Sequence, residues 1–197
     1  MTDDTKQQRM PKRPGKIRDG LARAERALFT RPAPKSARAQ MKFLRTRFKG
    51  SSKSVAALLG VSRRTVDRYL SGASKQPHKR LQEALTEHTE AQWQPQVKAH
   101  ARQRAATSAG LVISTRAYFG LGPEGTSDAG RVRDISVAVS PAHAAVILAK
   151  RQEGATDADL HEPVAEAIAD AYFRQGGGAH AGLQVEFADV EWLNISF

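Results

Sequence analysis

Apolar and polar positions recur along this chain with two different periods, and the change falls near Gly110. Before it the spacing is helical. IRDGLARAERALF (17–29) puts Ile17, Leu21, Ala24 and Leu28 on one helical face. TRPAPK (30–35) breaks that run, because Pro32 and Pro34 lack amide donors and push their neighbours extended. Ser36 then suits an N-cap for a helix over 37–49, apolar at Met41, Leu44 and Phe48 and wet at Lys42, Arg45, Arg47 and Lys49. A basic loop, SGASKQPHKR, leads into a helical stretch at about 79–107 that is interrupted near Pro95. Leu81, Leu85 and His88, then Val97 and Ala101, make its apolar stripe.

Beyond Gly110 the pattern turns to strands. LVISTRAYF (111–119) is β-branched and aromatic and predicts a strand. GLGPEGTSDAG (120–130) is a glycine-rich loop, and RVRDISVAV (131–139) is a second strand whose Val132, Ile135 and Val137 do not share one register. PAHAAVILAKRQ (141–152) opens with proline at a helix N1 position and is apolar at Ala145, Val146 and Leu148. A further helix covers roughly 157–174, and QGGGAHAG (175–182) reads as a joint. LQVEFADVEWLNISF (183–197) closes as one long strand or a hairpin, with Phe187, Trp192 and Phe197 suited equally to core or to partner docking. MTDDTKQQRMPKRPGK (1–16) is polar, basic and proline-broken, and reads as a disordered arm. The expected fold is mixed α+β: the arm, a basic helical DNA-binding region over 17–108, and a small α+β region over 109–197.

Charge sharpens that division. Residues 1–106 carry 25 Lys+Arg against 8 Asp+Glu, a net +17, while residues 107–197 carry 6 against 12, a net −6. A polycationic half suits a polyanion, since each neutralised phosphate releases condensed counterions. A membrane surface would want an amphipathic anchor, and no segment has that form, so no membrane partner is expected. There is no cysteine, which excludes a disulfide framework and thiol chemistry. The N-terminal charges are not followed by an apolar h-region, and no run approaches the roughly 18–20 apolar residues that span a bilayer. The expected location is therefore cytoplasmic, with the nucleoid.

The strongest local signal is KSVAALLGVSRRTVDRYLSG (53–72), which predicts a helix-turn-helix. Ala56 supplies the small residue that lets two helices cross, and Gly60 supplies the bend. Val55, Leu59, Val61, Val66 and Tyr69 face inward, and Ser62 stands at the N-cap of the second helix. The outward residues of that helix are then Arg63, Arg64, Asp67 and Arg68, with Thr65 beside them. Arg63 and Arg64 suit either guanine edges or phosphate. Lys53, at the start of the first helix, and Lys98 and Arg102, four apart on a later one, complete the candidate DNA contacts.

Other signals carry less. Gly120, Gly122 and Gly125 have GxGxxG spacing, but no apolar helix opens after them, so a dinucleotide site is not expected. The six histidines show no metal spacing, and no nucleophile–base–acid order stands out. No bound cofactor or metal is expected of this chain.

Several stretches, in order and through nearly the full length, resemble the telomere terminal proteins of Streptomyces-type linear chromosomes and plasmids. They are IRDGLARAERALFTRPAPKSA, VSRRTVDRYLSG, WQPQVKAHARQRAAT, STRAYFG, PEGTSDAGRVR and GLQVEFADVEWL. The plainest departure is in the loop, where the family carries two threonines before its aspartate and this chain reads Thr126-Ser127-Asp128. The resemblance implies a protein primer rather than an enzyme. A side-chain hydroxyl replaces a sugar 3′-OH, a DNA polymerase extends it, and the protein stays joined to the 5′ DNA end. It also implies telomeric DNA and a telomere-binding companion protein as partners, with divalent metal and dNTP supplied with the polymerase. The priming hydroxyl maps to Thr126, with Ser127 the next candidate and Asp128 in support. The alternative is a helix-turn-helix transcriptional regulator, which leaves the glycine-rich acidic loop without a role.

Overall fold

A computed structural model of the chain describes residues 17–122, 130–174 and 183–197. The described residues form eight α-helices and one three-stranded antiparallel sheet, a mixed α+β chain. They divide into two compact units, residues 29–97 and the remainder.

The 29–97 unit is helical: α1 of the chain (Ile17–Ala27) lies outside it, and α2 (Ala37–Arg47), α3 (Ser52–Leu59), α4 (Arg63–Ser71) and α5 (Lys79–Gln92) build it. Ala37, Met41, Leu44, Val55, Ala56, Leu59, Val66, Tyr69, Leu81 and Leu85 are its core. Ser36 caps α2 and Ser51 caps α3, each side chain accepting an amide proton three residues on. On α5 the third buried position is Thr89, where the sequence pattern placed His88. The ends of the unit are tied together. Trp93 Nε1 donates to the Arg31 carbonyl (3.0 Å), Gln94 Oε1 accepts from the Thr30 amide (3.0 Å), and Phe43 meets Trp93 edge-on.

The other unit is a sheet with helices. Its strands are β1 (Leu111–Gly122), β2 (Arg131–Val139) and β3 (Gln184–Ser196), in the order β2-β1-β3. Leu111, Ile113, Thr115, Ala117 and Phe119 point from β1 into the core, and Ile135, Val137 and Val139 join them from β2. The β2 register is thus clean from 133 onward, and Val132 lies on the opposite, exposed side. β3 is one long strand rather than a hairpin. Its ladder with β1 shifts at one point, where Asp189–Glu191 oppose Ala117 alone and Asp189 takes φ +46°. The same core holds α1, α7 (Pro141–Gln152) and α8 (Asp157–Ile168).

Three expectations are corrected here. α1 belongs to the sheet, not to the basic helical region. Its Ile17, Leu21 and Ala24 enter the sheet core, and Gly20 leaves room for Leu193 and Ile195 of β3. The boundary accordingly falls at 28/29 and 97/98, inside α6 (Pro95–Arg104), instead of at 108. The buried stripe of α7 is Ala144, Ile147 and Leu148, while Val146 is exposed; the apolar run is longer than the face that packs. Gly120 and Gly122 are strand residues of β1, not loop.

Gly110 joins the end of α6 and its π-helical last turn (Ala105–Ala109) to β1 with φ +71° and ψ −160°, a combination open to glycine almost alone. A side chain there would collide with the Val139 carbonyl oxygen, the first rung of the β1–β2 ladder. Gly110→Ala is expected to destabilise the protein by about 3 kcal/mol in urea or thermal unfolding. Unchanged stability would show that β1 does not start in this register.

Candidate nucleic-acid interface

The 29–97 unit carries 14 Lys+Arg against 4 Asp+Glu, a net +10. α4 is half exposed, and two local features set how that helix lies. Gly60 ends α3 in the left-handed conformation (φ +64°, ψ +33°), and Val61 N–H returns to the Ala56 carbonyl at 3.0 Å. The chain thus reverses within Gly60–Ser62. Ser62 then starts α4, its Oγ accepting the Thr65 amide at 3.1 Å and lying 2.9 Å from Thr65 Oγ1.

Val66 is fully buried on α4 and Tyr69 nearly so, both in the core of the unit. With that face inward, the helical period turns Arg63, Arg64, Asp67 and Arg68 to solvent, where with Ser71 they line one shallow open groove. Arg63 Nε and Asp67 Oδ2 stand 3.6 Å apart, but both side chains are more than half exposed, so water screens the pair and it restrains little. Arg64 and Arg68 are one turn apart and form no ion pair among the described residues. The helix is braced from behind, where Arg38 Nε donates to the Leu70 carbonyl (3.0 Å). Lys53 is exposed in the first turn of α3.

Two of the expected cationic contacts, Lys98 and Arg102, fall outside the 29–97 unit. Lys98 is 4% exposed, and it and Arg102 belong to the sheet unit. Arg102 is bound by both Nε and Nη2 to Glu25 of α1. Neither side chain is a free, exposed cation. Two arginines on α2 are likewise spent on backbone carbonyls: Arg45 Nε on Gly50 (2.8 Å) and Arg47 Nη2 on Gln92 (3.2 Å). Periodicity marks such residues as wet but cannot show which carbonyl they reach.

No protein-family model, curated protein or solved structure matches the chain.

The sheet unit offers a different kind of chemistry. Arg116 on the uncovered side of β1 reaches Asp134 on β2 (2.6 Å) and Glu191 on β3 (2.9 Å), and these carboxylates hold its proton above the usual arginine range. Arg174 binds Asp170 (2.7 Å) and Glu166, and the hydrogen bond from Arg174, helped by His143 Nε2 at 2.7 Å, holds the Asp170 carboxyl below its usual range. These are closed ion-pair clusters. Among the described residues no three metal-ligating side chains come together, and no helix is long and apolar enough to cross a membrane. Thr126, Ser127 and Asp128 lie outside the described residues. The chain leaves β1 at Gly122 and re-enters at Arg131, and Phe119 pairs with Arg131 across the ladder. Thr115 on β1 is buried and donates to the Trp192 carbonyl at 2.7 Å.

Because Ser62 alone supplies the side-chain cap of α4, Ser62→Ala is expected to cost about 1 kcal/mol of stability and Ser62→Asn almost nothing. Thermal unfolding of the two variants checks this, and equal loss in both would remove the cap from the account.

Proposed function

We propose that α3 and α4 form a DNA-binding helix-turn-helix and that the chain is a terminal protein, which binds the ends of linear DNA and primes their completion. The observation that carries the first half is the α4 face. A helix locked by Val66 and Tyr69 presents Arg63, Arg64 and Arg68 outward from a unit of net charge +10. Set in a major groove, planar guanidiniums suit the paired acceptors of guanine or a phosphate. Lys53, at the start of α3, and Thr65, in the first turn of α4, supply contacts to the DNA backbone.

The second half rests on the resemblance along the chain. In this reading the Thr126 hydroxyl attacks the α-phosphorus of a dNTP bound by a DNA polymerase. A phosphodiester forms to the threonine oxygen, pyrophosphate leaves, and the hydroxyl proton passes to the polymerase site. Ser127 is the neighbouring alternative hydroxyl and Asp128 supports the segment electrostatically. The chain acts as acceptor, not catalyst; metal ions and dNTP come with the polymerase. The partners are telomeric DNA, the polymerase and a telomere-binding companion protein, all at the nucleoid.

The test is incubation with labelled dNTP, host extract and a linear-end template, followed by a denaturing gel and peptide mapping. Label is expected to stay on the protein, map between Gly120 and Gly130, and vanish in Thr126→Ala. Label lost in Ser127→Ala instead would keep the function and move the hydroxyl. An unlabelled protein that still binds a duplex palindrome, in an extract competent with a known terminal protein, would make the chain a transcriptional regulator.

A further inference from the structure

The α4 face does not end at the helix. Gly72 terminates α4 in the left-handed conformation (φ +85°), and the chain then runs through Ser74, Gln76 and Pro77 to the cap of α5. Three hydrogen bonds tie this connection to α4. Ser74 N–H donates to the Arg68 carbonyl (3.1 Å), Tyr69 Oη donates to the Gln76 carbonyl (3.3 Å), and Ala73 N–H donates to Ser71 Oγ (3.4 Å). At its far end His78 caps α5, its Nδ1 accepting the Leu81 amide at 3.3 Å, and Leu81 itself is in the core.

Four basic side chains ride on that fixed backbone: Lys75, His78, Lys79 and Arg80, all exposed. Among the described residues Lys75, Lys79 and Arg80 form no ion pair. Helix stability does not account for two of them. Lys79 and Arg80 stand in the first turn of α5, where cations oppose the helix dipole and that turn holds no acid. His78 is similarly directed outward. Since Nδ1 accepts the cap bond, the ring proton is on Nε2, leaving a donor on the side of the ring away from the helix.

We infer that this pinned turn, residues 74–80, is a second DNA contact that grips backbone phosphates of the same duplex whose groove receives α4. The inference rests on the helix-turn-helix reading and deepens it. Its ligand is the phosphodiester chain, recognised by charge and by the His78 Nε2–H, with no base readout. The occupant follows from charge complementarity and from continuity, because the turn begins where the α4 arginine face stops. The hydrogen bonds to Arg68, Tyr69 and Ser71 tie the turn to the helix, so gripping phosphate with one helps set the register of the other. The phosphates are bound by the side chains, not by the helix end.

The test is the affinity of the full-length protein for a linear-end duplex and for an unrelated duplex, each across a salt series. Lys75→Gln/Lys79→Gln/Arg80→Gln is expected to weaken both complexes alike. The slope of log K against log salt should flatten by roughly 2–3, close to 0.9 for each phosphate released. The ratio between the two duplexes should stay at its wild-type value. Arg64→Ala/Arg68→Ala is expected to collapse that ratio. His78→Asn keeps a side-chain cap but lacks Nε2, so it should hold the melting temperature while binding roughly three- to tenfold more weakly. If the triple variant keeps the wild-type slope while Arg64→Ala/Arg68→Ala loses the preference, the phosphate grip is wrong and the helix-turn-helix stands. If neither variant changes binding to either duplex, both fall.

Discussion

The arrangement of the helical unit depends on one buried stripe, Val66 and Tyr69 of α4 against Leu44, Val55, Ala56 and Leu59. Removing a valine or leucine side chain from water is worth about 1.5–3 kcal/mol, far more than any single exposed charge on the helix contributes. The stripe therefore decides the orientation of α4, and the arginines follow from it. A helix that must bury 66 and 69 has no choice but to show 63, 64, 67 and 68. The left-handed Gly60 makes this possible by reversing the chain in so few residues that α3 and α4 share one core.

The α4 face differs from three arginine sites of the sheet unit, where the guanidinium is held by carboxylates of its own fold. Arg116 ties three strands through Asp134 and Glu191, Arg174 ties Glu166 and Asp170, and Arg102 ties α6 to Glu25 of α1. On α4 and the turn after it, the basic side chains meet a single acid, Asp67. Charge that a fold neutralises itself supports packing. Charge that it fixes in place and leaves in solvent is available to a polyanion, and the 29–97 unit concentrates that kind.

Much of this was legible in the sequence wherever a residue type has one local meaning. Gly60, Ser62, Val66 and Tyr69 announce the two short helices, and alternation announces β1. Less was legible where partners are distant. α1 has an ordinary amphipathic stripe, and nothing local shows that its partners are Leu193 and Ile195, more than 160 residues away. Lys98 and Arg102 read as a cationic pair because spacing reveals a shared face but not burial or the carboxylate at Glu25. Val146 reads as core because α7 is apolar beyond the width of its packed side. The fixed path of the basic turn was hidden for the same reason: Lys75, Lys79 and Arg80 look like solvated loop until Tyr69 and Arg68 are seen to fasten it.

The α4 face is the proposed seat of DNA. The most direct measurement is photo-cross-linking of the full-length protein to a linear-end duplex, followed by digestion and mass spectrometry of the nucleotide-bearing peptides. The adducts are expected to concentrate in peptides spanning Ser62–Ser71. Adducts confined to residues 98–197, with the α4 peptides recovered unmodified, would contradict it.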